Sequence, residues 1–240
     1  MGLAVITVPL AWVALTGGSD AQPAPPSLPR AAAPSSAPAP GTGPPAGAPG
    51  APTASSPSPS TASLTAVVDT GSGELTVVPG STKASGPGPV RRYTVSVEGG
   101  LGIDAAAFAA EVDATLADTR SWRRAGALAL RRVDSGPTEL RVVLASPATT
   151  DRLCRPLATA GIYSCGTGST AVLNSMRWLR GAEAYTGRLA EYRQYVVNHE
   201  VGHALGLHHQ SCRGARLPAP VMMQQTKGVG VCLPSPWPFP

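Results

Sequence analysis

All four histidines of this 240-residue chain lie between His199 and His209. The stretch reads H-E-V-G-H-A-L-G-L-H-H, which has the spacing H-E-x-x-H-x-x-G-x-x-H. Residues four apart lie on the same face of a helix, so His199 and His203 can direct their rings at one ion. The spacing therefore predicts a metal centre mounted on a helix, and a fold arranged around that helix.

Glu200 and Gly206 are the other two fixed residues of the pattern, and each has an expected role at the site. Glu200 is rotated by about 100° from His199, so it flanks the ion and can hold a water. His209 lies six residues beyond His203, too far around a continuous helix to reach the same ion. Gly206 can adopt the left-handed conformation that ends a helix, after which the chain can return His209 as a third ligand. Three neutral imidazoles and one open position describe a catalytic Zn²⁺ site.

A helix over about 187–206 is predicted to carry the first two ligands. Its apolar residues recur at spacings of three and four and continue into the ligands: Leu189, Tyr192, Val196, His199 and His203. Such a stripe packs against a core and holds the site rigidly. His208 fits the ligand spacing less well than His209, and we expect it at the rim, either exposed or in contact with substrate.

The motif from His199 to His209 resembles the zinc signature of the metzincin metallopeptidases. A second element agrees, because Pro220-Val221-Met222-Met223-Gln224 follows the third histidine after a loop. In metzincins a methionine in a tight turn lies beneath the zinc ligands, and the resemblance assigns that role to Met222. Alone, such a methionine is more often core filler. The resemblance departs at Gln224, where some metzincins have a tyrosine that joins the zinc.

The resemblance also implies how substrate would bind. In metzincins the strand before the active helix lies at the edge of the cleft and pairs with an extended peptide through main-chain hydrogen bonds. The residues at that place in this chain are Thr170, Ala171, Val172, Leu173 and Asn174. They are the expected substrate strand.

Composition divides the chain into three parts. Residues 1–21 are mainly apolar and resemble a signal peptide, with a retained membrane anchor as the alternative. Residues 22–61 hold half of the 26 prolines, with Arg30 as their only charge, and predict an extended spacer. Residues 62–240 suit one domain. From about residue 62 onward the chain is similar to a family of uncharacterised secreted actinobacterial proteins, a domain of unknown function.

The apolar periodicity of 62–240 predicts an α+β fold. The expected elements are a hairpin of 64–68 with 74–78, a strand at 92–98, a helix at 104–119, a second hairpin of 127–133 with 139–145, a strand at 169–174 and the ligand-bearing helix. Asp104 is the expected N-cap of the first helix. With the resemblance, this order implies a metzincin-like mixed sheet with two main helices, the second carrying the ligands.

The four cysteines predict two disulfides in an exported domain. None has C-x-x-C spacing, so thiolate ligation of a second metal is the weaker alternative. Four cysteines allow three connectivities. We favour Cys154–Cys165 and Cys212–Cys232, because each closes a short local loop. The second bond would staple the short C-terminal part around Met222.

Charge and motif together lead to a functional hypothesis. The net charge of +5 comes from scattered arginines. It would suit contact with anionic wall polymers or lipid headgroups, whereas nucleic acid is an improbable partner outside the cell. The expected function is a zinc metalloendopeptidase, monomeric, secreted or anchored at the outer face of the cytoplasmic membrane. The alternatives are a catalytically silent zinc-containing binding module and a zinc amidase acting on peptidoglycan.

Overall fold

The structure is a computed structural model, and it describes residues 66–124 and 128–240. Within these ranges the chain forms six strands and four α-helices. The strands are β1 (Leu75–Val77), β2 (Val90–Glu98), β3 (Ala129–Arg132), β4 (Leu140–Ala145), β5 (Cys165–Thr167) and β6 (Thr170–Asn174). The helices are α1 (Ala105–Ala117), α2 (Pro147–Leu153), α3 (Ser175–Arg180) and α4 (Leu189–Ala204). The predicted α+β class is confirmed.

The strands form one mixed sheet with the order β1-β2-β4-β6-β5, and β3 also pairs with β2. The central strands β2, β4 and β6 are parallel, whereas β1 and β5 run antiparallel to their neighbours. Parallel neighbours need crossover connections, and the segments that contain α1 and α2 supply them. The strand order places the short antiparallel strand β5 at one edge of the sheet.

The two faces of the sheet pack against different elements. On one face, alternate residues of β2, β4 and β6 form the main core with α1 and α4, as Val95, Val142 and Leu173 do. Phe108 on α1 and Val196 on α4 are buried in this core, as the apolar spacing of both helices predicts. A smaller cluster on the opposite face contains Val143 and Val172, together with the disulfide between Cys154 and Cys165.

Both predicted hairpins are wrong. Residues 66–68 form no strand, and β1 pairs antiparallel with β2 instead; residues 64 and 65 lie outside the described ranges. Strands β3 and β4 exist but do not pair with each other, because both run parallel to β2 on opposite sides of it. Tyr93 is opposite Arg132 on one side and Leu140 on the other. The turn-forming residues 134–137 connect these strands without forming a hairpin.

The two long helices were predicted well, and two short ones were not. Asp104 caps α1 as expected, with its carboxylate accepting hydrogen bonds from the backbone N–H groups of Ala106 and Ala107. The short helices α2 and α3 lack a sequence long enough to show helical periodicity. They are capped by Ser146 and Asn174, respectively.

Both predicted disulfides are present, and no cysteine is free. The proposed segments 1–21 and 22–61 lie outside the described residues. Among the described helices, none has the length and apolar character needed to cross a bilayer.

Candidate metal centre

The last turns of α4 position two of the three histidines. His199 is buried and His203 is partly exposed, one turn further along the same face. The helix ends at Ala204, and Gly206 follows the C-cap residue Leu205 with a φ of 89°, the left-handed conformation predicted for it. The N–H groups of Gly206 and Leu207 donate to the carbonyl oxygens of His203 and Gly202, at 2.9 and 3.0 Å. This pair of bonds is a Schellman motif, and it turns the chain back toward the helix.

Backbone carbonyls orient the rings of the two helical histidines. The Nδ1 atom of His199 lies 2.8 Å from the carbonyl oxygen of Val221, and Nδ1 of His203 lies 2.9 Å from that of Leu207. A carbonyl oxygen only accepts, so each Nδ1 carries a proton, and in the neutral ring the lone pair is on Nε2. Such contacts fix the tautomer that a metal ligand needs.

The chain brings the three predicted ligands together. The nitrogen atoms of His199, His203 and His209 that could bind an ion all lie within 4.8 Å of one another. The Nε2 atoms of His203 and His209 are 3.0 Å apart. Tetrahedral Zn²⁺ with bonds of 2.0–2.1 Å separates its nitrogen ligands by about 3.3 Å. The donor set therefore fits a metal ion, and three imidazoles suit zinc.

Burial favours the neutral form of two of the imidazoles, His199 and His209. Burial is the main reason why the pKa of His199 is lowered to about 3, and it also lowers the pKa of His209. The neighbouring side chains of His203 and Lys227 lower the pKa of His209 further. A neutral imidazole is the form that binds a metal, so both rings are in the ligating state at neutral pH.

Glu200 lies beside the histidines in a buried position. Burial raises the pKa of its carboxyl group to about 8. Among the described residues its carboxylate has no hydrogen-bond partner, although it lines the same cavity as His199 and His203. A carboxyl group with this pKa holds its proton at pH 7, and a cation on the histidines would favour its charged form. Its position beside the three histidines is the position that a general base requires.

Met222 lies in a tight turn beneath the end of α4, as the sequence predicted for this methionine. The turn is closed by the N–H of Met223, which donates to the carbonyl oxygen of Pro220. Met222 is buried, and its side chain lies directly against Gly202, between the two helical ligands. Its carbonyl oxygen accepts a hydrogen bond from the N–H of Gln210, the residue after the third histidine. The turn thus supports both the helix and the returning chain.

The expected substrate strand does not lie at an edge of the sheet. Residues Thr170, Ala171, Val172, Leu173 and Asn174 form β6, which is hydrogen-bonded to β4 on one side and to β5 on the other. Because β6 has a neighbouring strand on both sides, it is not an edge strand, and Thr170, Ala171 and Val172 are paired on both sides. The edge next to the metal centre is β5, a strand of three residues that sequence reasoning missed.

Strand β5 passes unusually close to α4. A Cβ atom added to Gly166 would contact the Cβ of His203 and lie 2.6 Å from the carbonyl oxygen of Glu200. The disulfide from Cys165 to Cys154 ties the start of this strand to the end of α2. Only a glycine allows this approach, which places the sheet edge beside the histidines.

Gln225 organises the C-terminal segment, and sequence reasoning missed it. The residue is fully buried. Its Oε1 accepts hydrogen bonds from the Tyr185 hydroxyl and the Ser235 N–H, while its Nε2 donates to the carbonyl oxygens of Pro220 and Ser235. The amide thereby joins the methionine turn to the chain end. Together with the disulfide from Cys212 to Cys232, it holds this segment without an α-helix.

Asn198 anchors α4 from its other side. Its buried side chain accepts a hydrogen bond from Ser121 and donates one to the carbonyl oxygen of Pro236. The indole of Trp122 donates to the backbone oxygen of the same residue. The residue preceding the first ligand therefore connects α4 to the loop after α1 and to the C-terminus.

A cavity of about 600 Å³ opens at the three histidines. One wall comes from residues 157–159 and the start of β5, and another comes from Gln224, Thr226 and Lys227. His208 is exposed and lines the cavity without being part of the ligand cluster. The arrangement can hold a metal ion, a base and a bound molecule in one place.

The fold and site thus define an α+β domain with a candidate three-histidine metal centre. The chain belongs to the family described as Protein of unknown function (DUF3152), which matches residues 61–233. Neither a curated protein nor a solved structure matches the chain.

Proposed function

We propose that this domain is a zinc-dependent metallopeptidase of the metzincin type that hydrolyses peptide bonds outside the cytoplasm. The observation that carries the proposal is the convergence of His199, His203 and His209 beside Glu200 at the wall of one cavity. The buried methionine turn and the glycine-terminated helix add support. The two disulfides favour an oxidising compartment.

The chemistry divides between the metal and one carboxylate. A Zn²⁺ ion bound by the three imidazoles would supply Lewis acidity to the scissile carbonyl and lower the pKa of a water molecule. Glu200 would take a proton from that water and pass it to the departing amine. Its position next to His199 on α4 keeps the carboxylate beside the metal centre without making it a ligand.

The free edge of β5 would hold the substrate. In the described part of the chain, β5 pairs with β6 alone, so its other edge can add an extended peptide by main-chain hydrogen bonds. Cys165 and Gly166 line the cavity at this edge. This strand would take the role that the resemblance to metzincins assigned to β6.

A metal and activity assay on matched variants tests the proposal. The purified domain should contain one zinc per chain and cleave members of a peptide library. Glu200→Gln should keep the metal and lose cleavage, and His203→Ala or His209→Ala should lose both. His208→Ala is the matched control, because His208 adjoins a ligand but lies outside the cluster, and it should retain zinc.

Other outcomes separate the alternatives. Full zinc content without hydrolysis of any peptide, combined with retention on cell-wall material, would instead support a binding module. Release of muropeptides by the wild type but not by Glu200→Gln would support a peptidoglycan amidase. Undiminished cleavage by Glu200→Gln would remove Glu200 from the mechanism.

A further inference from the structure

Lys227 places an unpaired positive charge in the cavity of the metal centre. It lies on the 3₁₀ helix Gln225–Lys227, directly after the methionine turn, and is exposed. Its ammonium group forms no salt bridge within the described residues. Glu200 is the only carboxylate among the described residues that line the cavity, so nothing there besides this base can neutralise Lys227.

The side chain of Lys227 also marks one end of the cavity. Its Nζ atom lies 4.9 Å from the centre of the Tyr163 ring, at a cation–π distance. Tyr163 belongs to the segment that leads into β5, whereas Lys227 follows the methionine turn. The two walls therefore meet at this pair, which bounds the cavity on that side.

The direction of β5 determines which end of a peptide would reach Lys227. The strand starts at Cys165, two residues after Tyr163, and runs away from it to Thr167. A peptide paired antiparallel with β5 would point its C-terminus toward Tyr163 and Lys227. A parallel peptide would point its N-terminal ammonium there and be repelled by Lys227. In the antiparallel orientation the C-terminal carboxylate of the peptide would therefore neutralise the Lys227 ammonium. Antiparallel pairing is also slightly more stable than parallel pairing.

We propose that Lys227 binds the C-terminal carboxylate of a peptide substrate, so that cleavage takes place close to the substrate's C-terminus. This inference rests on the proposed function. The volume of about 600 Å³ is sufficient for the end of a peptide. Lys227 is then a specificity-determining residue, distinct from the metal ligands and the base.

Binding experiments on zinc-loaded protein isolate the role of Lys227. The probes are fluorescein-labelled hexa-alanine as a free acid, the same peptide as a carboxamide, and a carboxamide whose last residue is glutamate. The host is the Glu200→Gln variant, which cannot turn the probes over. A hydrogen bond to a charged group predicts that the free acid binds about tenfold or more tightly than the plain carboxamide.

Lys227→Met in the same host should remove this preference, and Lys227→Arg should preserve most of it. Lys83→Met is the matched control, since Lys83 is the only other lysine of the chain and does not line the cavity. With Glu200 restored, kcat/KM should show the same acid preference, and Lys227→Met should abolish that preference while cleavage of the carboxamide continues.

Three binding results would overturn the inference: equal affinity for the acid and the carboxamide, an acid preference that survives Lys227→Met, or tightest binding of the carboxamide that ends in glutamate. One kinetic result would do the same, namely an equal loss of kcat on the acid and the carboxamide in Lys227→Met. The last would place Lys227 in transition-state stabilisation. A Lys227-dependent acid preference in binding, without cleavage of any peptide by the wild type, would contradict the proposed function and leave this ligand assignment standing.

Discussion

Gly166 on β5 and His203 on α4 are packed so closely that no side chain fits between them. An added Cβ at Gly166 would contact the Cβ of His203 and come within 2.6 Å of the Glu200 carbonyl oxygen. Because the obstructing atoms belong to the helix backbone and to a Cβ, neither can move without moving α4 or β5. The sheet edge and the metal centre are therefore one structural unit.

Gly166→Ala should weaken the metal centre and the substrate edge together. Forcing an extra carbon into a packed site costs about 1–3 kcal/mol, and here the strain acts on a residue that carries a ligand. We expect a lower free energy of unfolding and weaker zinc affinity, measured by denaturant titration and by competition with a chelator. Gly214→Ala is the control, because its added carbon would meet only the flexible end of Leu217. Equal zinc affinity in both variants would contradict this account.

Met222 should matter for support of the site and not for chemistry. Truncation of this buried side chain to alanine should cost about 2–5 kcal/mol through the cavity it leaves. Leucine has a similar volume, so Met222→Leu should cost less than about 1.5 kcal/mol and retain zinc and cleavage. Thermal unfolding and metal content of both variants check this. Loss of zinc in Met222→Leu with an unchanged fold would show that the sulfur itself is needed.

The three-histidine cluster was largely predictable because the positions of its residues depend on their local spacing along the chain. The four-residue step from His199 to His203 requires only a helix, and Gly206 requires only a helix end. The disulfide pairing followed from short loops. In contrast, the sheet edge beside the histidines was not predicted, since β5 has three residues and shows no periodicity that a sequence could reveal.

Gln225 should contribute far more to the stability of the fold than its neighbour Gln224. Gln225→Ala would leave the Tyr185 hydroxyl and the backbone N–H and carbonyl groups of Ser235 without hydrogen bonds, and each such loss costs about 1–3 kcal/mol. We expect a loss of about 3 kcal/mol or more in the free energy of unfolding, together with looser zinc binding. Gln224→Ala, at an exposed position, should change stability by less than about 0.5 kcal/mol. Equal effects in urea titrations would refute the role given to Gln225.

Long-range pairing explains why the rest of the fold escaped prediction. β3 and β4 are separated by a turn-rich stretch, yet each pairs with β2 because parallel neighbours complete the buried face. Similarly, the partners of Gln225 lie up to 40 residues away along the chain. Such contacts form only in the assembled core, so no local sequence pattern predicts them.

Glu98 should make stability depend on acid pH. Burial alone would raise the pKa of this carboxyl group, but hydrogen bonds from the N–H groups of Ser146 and Gly73 and from the Thr149 hydroxyl outweigh it and lower the pKa below 4.5. A lowered pKa means that the folded state prefers the carboxylate. The stabilisation is therefore present above the pKa of the unfolded chain and is lost as pH falls through the folded pKa.

Unfolding titrations of wild type and Glu98→Gln between pH 6 and pH 3 measure this contribution. The difference in free energy of unfolding should be largest near pH 6 and shrink toward pH 3, since protonation removes what the carboxylate supplies. Glu139→Gln, at an exposed carboxylate, is the matched control. A gap between wild type and Glu98→Gln that stays constant with pH would contradict the assignment.

X-ray absorption at the zinc edge tests directly whether His199, His203 and His209 hold one zinc ion, as we propose. We expect one zinc per chain with three imidazole nitrogens at 2.0–2.1 Å. We also expect that His209→Ala loses one of these ligands and most of the affinity, whereas His208→Ala keeps both. An unchanged zinc spectrum and affinity in His209→Ala would contradict the account.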